Sequence, residues 1–209
     1  MKALTSHSPD GLDDATRLAA PGSWAALLVD YQRQRDQLRV EAGEHAGPDD
    51  VRRQDQLVTV SCPRVEACWA FTDWVFEGTL ISSFSIGSVP IDGHVAGPAG
   101  PVMFAGDTYQ IAGAMVDPTS GALGILVRVT GGSPGSILPL DATLNGSRGQ
   151  VVPSDFRGSL PRTTTQPGTT TLALYEFLQP GTPQSVTLHV CTQRAASCQN
   201  VVLPFVQTA

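Results

Sequence analysis

Four cysteines stand in two close pairs, Cys62 with Cys68 and Cys191 with Cys198, and they offer the most chemistry of any residues in this sequence. Thiols so placed can join as disulfides, bind a metal as thiolates, or stay reduced. A tetrahedral zinc site draws on C-x2-4-C units, short enough for two thiolates to reach one ion. The C-x5-C and C-x6-C spacings found here depart from that pattern. Both flanks of each pair read as strand, which would set each pair at the mouth of a β-hairpin. A disulfide there closes a loop of about seven residues and contributes roughly 2 kcal/mol in the chain-entropy account. The expectation is therefore a bond from Cys62 to Cys68 and another from Cys191 to Cys198, with no metal ligand set, in an oxidising compartment. The other two pairings of four cysteines would need the first hairpin to lie against the last.

Other reactive groups are scattered. His7, His45, His94 and His189 show no i,i+4 spacing and no neighbouring carboxylate pair, so they read as surface or loop histidines. No G-x-S-x-G nucleophile elbow occurs. The only lysine is Lys2, which removes Schiff-base, P-loop and buried general-base lysine chemistry. Asp117-Pro118-Thr119-Ser120-Gly121 supplies one carboxylate where a calcium loop needs several oxygens, and it reads as a turn. Asn145-Gly146-Ser147 matches a glycosylation sequon but is equally a hairpin-turn signal. Leu160-Pro161-Arg162-Thr163-Thr164 lacks the final Gly and the hydrophobic tail of a sorting signal. No catalytic residue and no cofactor are expected from these patterns.

One stretch has the composition of a binding surface. Trp69, Phe71, Asp73 and Trp74 lie in a strand with large apolar groups on both faces, and aromatic side chains give much contact area at little entropic cost. Core packing is the competing account. Strict alternation puts Asp73 on the face of Trp69, Phe71 and Val75, either at the strand's solvent edge or hydrogen-bonded inside.

The elements that must position these residues follow from composition and period. Residues 1–55 carry ten acidic and seven basic side chains against nine and six in the remaining 154, which marks a boundary near residue 55. Residues 1–22 are expected as a disordered tail, with at most a short helical turn from Leu12 to Ala20 closed by Pro21-Gly22. Residues 23–55 are expected as a helical extension. In it Trp24, Leu27, Leu28, Tyr31 and Leu38 fall at helical spacing between a Ser23 N-cap and a Gly43 stop, while Asp30, Arg33, Asp36 and Arg39 form a solvated face. The apolar stripe is expected to pack on its own domain.

From Gln56 to residue 207 the chain reads as short strands between Gly, Pro, Asp and Ser clusters. The clearest are two arms around Asp117–Gly121. Tyr109, Ile111 and Met115 share one face of the first arm; Leu123, Ile125, Val127 and Val129 share one face of the second. The arms should pair as a hairpin with one face buried. Residues 153–168 read as a long surface connection.

Gly106-Asp107-Thr108-Tyr109 opens a strand, Gly121 to Thr130 is a long inner strand, and Pro167 to Phe177 is a loop feeding another. In these features residues 98–206 resemble the immunoglobulin-like β-sandwich domains of exported bacterial proteins, including the telokin-like group of unknown function. The resemblance implies a mainly β, antiparallel sandwich carrying an N-terminal helical extension, and no catalytic residues.

With 13 basic and 19 acidic side chains the net charge is −6, which offers no footprint for nucleic acid. No apolar run approaches the ~20 residues of a membrane-spanning helix. The leading expectation is a non-enzymatic exported or cell-envelope module, periplasmic or at the cell surface, whose partner is a protein or a cell-wall polymer. Two alternatives are a hydrolase with a loop-built site and a phage virion structural protein.

Overall fold

The computed structural model describes residues 9–43, 50–62, 65–132, 141–158, 167–178, 180–191 and 198–205. Helix α1 (Pro9–Leu18) leads to helix α2 (Trp24–Glu41), which begins where the Ser23 hydroxyl accepts a hydrogen bond from the Ala26 N–H and stops at Gly43, with φ +78°. Strands β1 (Asp50–Gln54), β2 (Leu57–Cys62), β3 (Val65–Glu77), β4 (Leu80–Ile86) and β5 (Val89–Pro90) form a first antiparallel sheet in chain order. Next come β6 (Val95–Ala96), β7 (Val102–Phe104), β8 (Asp107–Val116), β9 (Leu123–Thr130), β10 (Asp141–Gly146) and β11 (Gly149–Val151). The last four strands are β12 (Asp155–Gly158), β13 (Thr170–Phe177), β14 (Pro183–Cys191) and β15 (Cys198–Pro204). A central sheet runs β12-β13-β9-β8-β6, with β7 also on β8, and a third sheet runs β11-β10-β14-β15. The protein is mainly β, with three antiparallel sheets and two N-terminal helices.

Two apolar clusters hold these layers. In the first, Ala15 of α1, Ala19 just after it and Leu28, Tyr31 and Leu38 of α2 lie among Val58, Phe71, Phe84 and Ile86 of the first sheet and Ala112, Met115, Leu126 and Leu174 of the central sheet. In the second, Tyr109, Ile125, Val127, Tyr175 and Phe177 on the other face of the central sheet meet Leu144, Val186, Leu188 and Leu203 of the third. The central sheet is therefore covered on both faces, and the hairpin expected to bury one face buries two. That is why β9 reads as a nearly continuous apolar run, Leu-Gly-Ile-Leu-Val, instead of a clean alternation.

The helices depart most from expectation. The stretch expected as a disordered tail contains α1, with Leu12, Ala15, Ala19 and Ala20 all buried. Ala19 bridges to Ile81 and the Ala20 N–H donates to the Ile81 carbonyl at 2.8 Å, so the end of this segment is stitched onto β4. The helical extension also gives way early, since β1 lies inside 23–55 and pairs with β2. Helix α2 is wedged between two sheets, so its polar face is not uniformly solvated: Asp36 and Gln34 are buried with the apolar stripe. Arg35 lies beside Asp36, its Nε and Nη2 donating to Oδ1 at 3.2 and 3.1 Å.

Bulges re-aim two strands. The register of β8 on β9 shifts between Ile111 and Gly113, which puts Ala114 with Tyr109 and Ile111, and turns Met115 with Ala112 toward α2. Met115 was expected on the other face, because period-two counting carries no knowledge of an extra residue. Inside the expected connection 153–168, β12 forms and pairs with β13.

Candidate functional site

The register of β14 on β15 sets Cys191 directly opposite Cys198. Cross-strand partners in an antiparallel ladder stand about 4.5–5.5 Å apart at Cα, inside the range a disulfide needs. Cys198 is not a free thiol. At the first pair Cys62 lies opposite Val65, and Cys68 falls in the irregular stretch between that pair and the Val60–Trp69 pair. The side chains of Cys62, Cys68 and Cys191 lie outside the described residues. Among the described residues no three His, Cys, Asp or Glu side chains are grouped to hold a metal ion, and no helix is long and apolar enough to cross a membrane.

The aromatic strand divides. Phe71 is fully buried and Trp69 nearly so; their rings lie 5.8 Å apart, and Phe84 meets Phe71 at 5.4 Å and Trp74 at 5.0 Å. A register shift between Thr72 and Val75, with Asp73 at φ +51°, breaks the alternation. Trp74 consequently stacks on Phe71, and its Nε1–H donates to the Gln56 carbonyl at 2.8 Å. Asp73 is turned to solvent, where its carboxylate accepts from the Thr72 hydroxyl. Trp69 and Phe71 are packing residues, and Asp73 does not share their face.

Of the histidines, His189 is exposed and its Nδ1 lies 3.1 Å from Asn200 Oδ1. His94 is buried, against the expectation of a surface or loop residue, and neither ring nitrogen has a hydrogen-bond partner among the described residues. His7 and His45 lie outside the described residues.

A different set of residues converges on a cleft of about 140 Å³ lined by Tyr31, Arg35, Met115, Asp117, Ser120 and Glu176, with Ala122 and Gly124. Three adjacent strands build its floor, since Met115 and Glu176 flank Gly124 across the β8, β9 and β13 ladder. Tyr31 and Arg35, one turn apart on α2, overhang that row. The space a side chain on Gly124 would need is taken by the Tyr31 hydroxyl. Burial raises the Tyr31 phenol above its ordinary range; Arg35 opposes this, and Glu176, Asp117 and Asp36 add to it. Both lining carboxylates are thus within electrostatic reach of the hydroxyl.

The turn at the rim is the one the sequence announces. Asp117 Oδ1 accepts from the N–H groups of Thr119 and Ser120, each at 2.8 Å, and Gly121 adopts φ +68°. The Ser120 hydroxyl donates to the same oxygen and accepts from the Ala122 N–H, so it is a staple of the turn. Sequence reasoning missed this cleft because α2, β8, β9 and β13 are far apart in the chain. The one available signal was Gly124 inside an otherwise apolar strand, a mark of close approach. A second hollow, of about 460 Å³, lies between Asp141–Thr143 and Val152–Asp155. Compared with known proteins, the chain matches no family model, no curated protein and no solved structure.

Proposed function

We propose that this chain is a non-enzymatic exported or cell-envelope module, whose central and third sheets make an immunoglobulin-like β-sandwich stapled by disulfides. The observation that carries the reading is Cys191 standing opposite Cys198 in the β14–β15 ladder, with Cys198 not free. A cross-strand disulfide there suits an oxidising compartment. The shared apolar cluster between the two sheets supports the sandwich. Against a hydrolase, the serine in the cleft has its hydroxyl committed to the turn, and among the described residues no histidine lines that cleft.

Non-reducing peptide mapping of the native protein, with alkylation of free thiols, tests the reading. A peptide joining Cys191 to Cys198, a second joining Cys62 to Cys68, and no alkylatable thiol are expected. Four alkylatable thiols would remove the basis for an exported location. A link between the two pairs would replace the connectivity.

A further inference from the structure

We propose that Asn145–Gly146 is a deamidation site that the folded third sheet keeps closed and that opens whenever β10 separates from its neighbours. The inference concerns this one peptide unit and stands or falls separately from the export reading.

An Asn-Gly unit is chemically labile wherever it moves freely, because glycine has no Cβ to shield its main-chain nitrogen from the preceding side chain. In the reaction the Gly146 nitrogen bonds to Asn145 Cγ, the Cγ–Nδ2 bond breaks, and ammonia leaves carrying the peptide proton. Water then opens the resulting cyclic imide at either carbonyl, giving an aspartyl or an isoaspartyl link. Water is the only co-reactant.

In the folded chain the Asn145 carboxamide is held at both ends. Its Nδ2 donates to Ser185 Oγ at 3.2 Å and to Thr187 Oγ1 at 3.0 Å on β14, and its Oδ1 accepts from Gln150 Nε2 at 3.2 Å on β11. The backbone is confined as well. Asn145 pairs with Ser185 on one side and Gln150 on the other, and a Cβ on Gly146 would lie 2.6 Å from the Thr182 carbonyl oxygen. Just beyond, the Ser147 N–H donates to that same oxygen at 3.0 Å, and the Ser147 hydroxyl accepts from the Thr182 N–H at 2.9 Å. Closing the imide requires the carboxamide to leave these partners and the Asn145 ψ to leave the extended range of a strand. Both are blocked while β11 and β14 stay paired with β10. An isoaspartyl link would then lengthen the β10 backbone by one carbon, so a sheet open long enough to react would not reclose in its native register.

The test is mass spectrometry of the peptide that contains Asn145, after incubation of the full chain in neutral buffer, native and unfolded in guanidinium chloride. Native conversion should be slower by about a hundredfold or more, since reaction must wait for the strand to open. Ser185→Ala with Thr187→Ala should speed the native reaction roughly fivefold, the effect of one net hydrogen bond, and leave the unfolded rate unchanged. Gln150→Ala is an independent variant with the same expected direction, and far-ultraviolet circular dichroism checks that each variant keeps its fold. The proposal is overturned if Asn145 does not react in the unfolded chain, if native and unfolded chains react at equal rates, or if neither variant speeds the native reaction.

Discussion

The hydroxyl of Tyr31 occupies the place where a side chain on Gly124 would begin, so one residue of α2 and one of β9 are fitted to each other across the layer between helix and central sheet. Gly124→Ala should therefore cost about 1–3 kcal/mol, the usual penalty of overpacking. The same substitution made in a Tyr31→Phe background should cost less. With the hydroxyl gone, the nearest atoms to the new Cβ are Tyr31 Cζ at 3.5 Å and Leu174 Cδ1 at 3.6 Å, both ordinary contacts. A double-mutant cycle by urea unfolding reads the coupling, expected at about 0.5 kcal/mol or more. Strict additivity would show that the strand simply shifts to make room.

The N-terminal segment is structural. Leu12 is 2% exposed, and Ala20 is hydrogen-bonded to β4. Leu12→Ala should destabilise by about 2–5 kcal/mol, as for other buried leucines, and removal of residues 1–22 should lower the melting temperature at least as far. An unchanged melting temperature after the deletion would mean that α1 contributes no net stability to the body it covers.

These relationships separate what local sequence specifies from what it does not. Ser23 as a cap, Gly43 as a stop and the Asp117–Gly121 turn depend on neighbours in the chain, and each forms as its residue types require. The inward set Leu123, Ile125, Val127 and Val129 also follows from period two alone. Met115 and Trp74 could not be placed that way, because a bulge in each strand reverses the faces beyond it. Asp36 looked solvated for a related reason: helical period marks its face as polar but does not report that the rest of the chain packs around α2 and buries it. The cleft combines both difficulties, being built from a bulge that turns Met115 inward and from a helix overlying distant strands.

Alkaline pH should unfold the protein steeply, because all three of its tyrosines, Tyr31, Tyr109 and Tyr175, are buried. Burial raises each phenol above its ordinary value; nearby Asp107 adds to this at Tyr109 and Asp141 at Tyr175. Below a pH of about 10 the phenols are protonated in folded and unfolded chains alike, and their full contribution to stability is present. Above it the unfolded chain releases protons that the folded chain retains, so stability falls as pH rises toward the folded values. Each tyrosine adds a slope of up to about 1.4 kcal/mol per pH unit, and three together give about 4. Against a typical domain stability of about 5–15 kcal/mol, two to three units of pH would be decisive. Phenolate absorbance should therefore appear in step with the loss of near-ultraviolet circular dichroism, and Tyr175→Phe should reduce the slope by about a third. Phenolate forming near pH 10 in a protein that keeps its dichroism would mean that these hydroxyls reach water without unfolding, contrary to the layered packing that buries them.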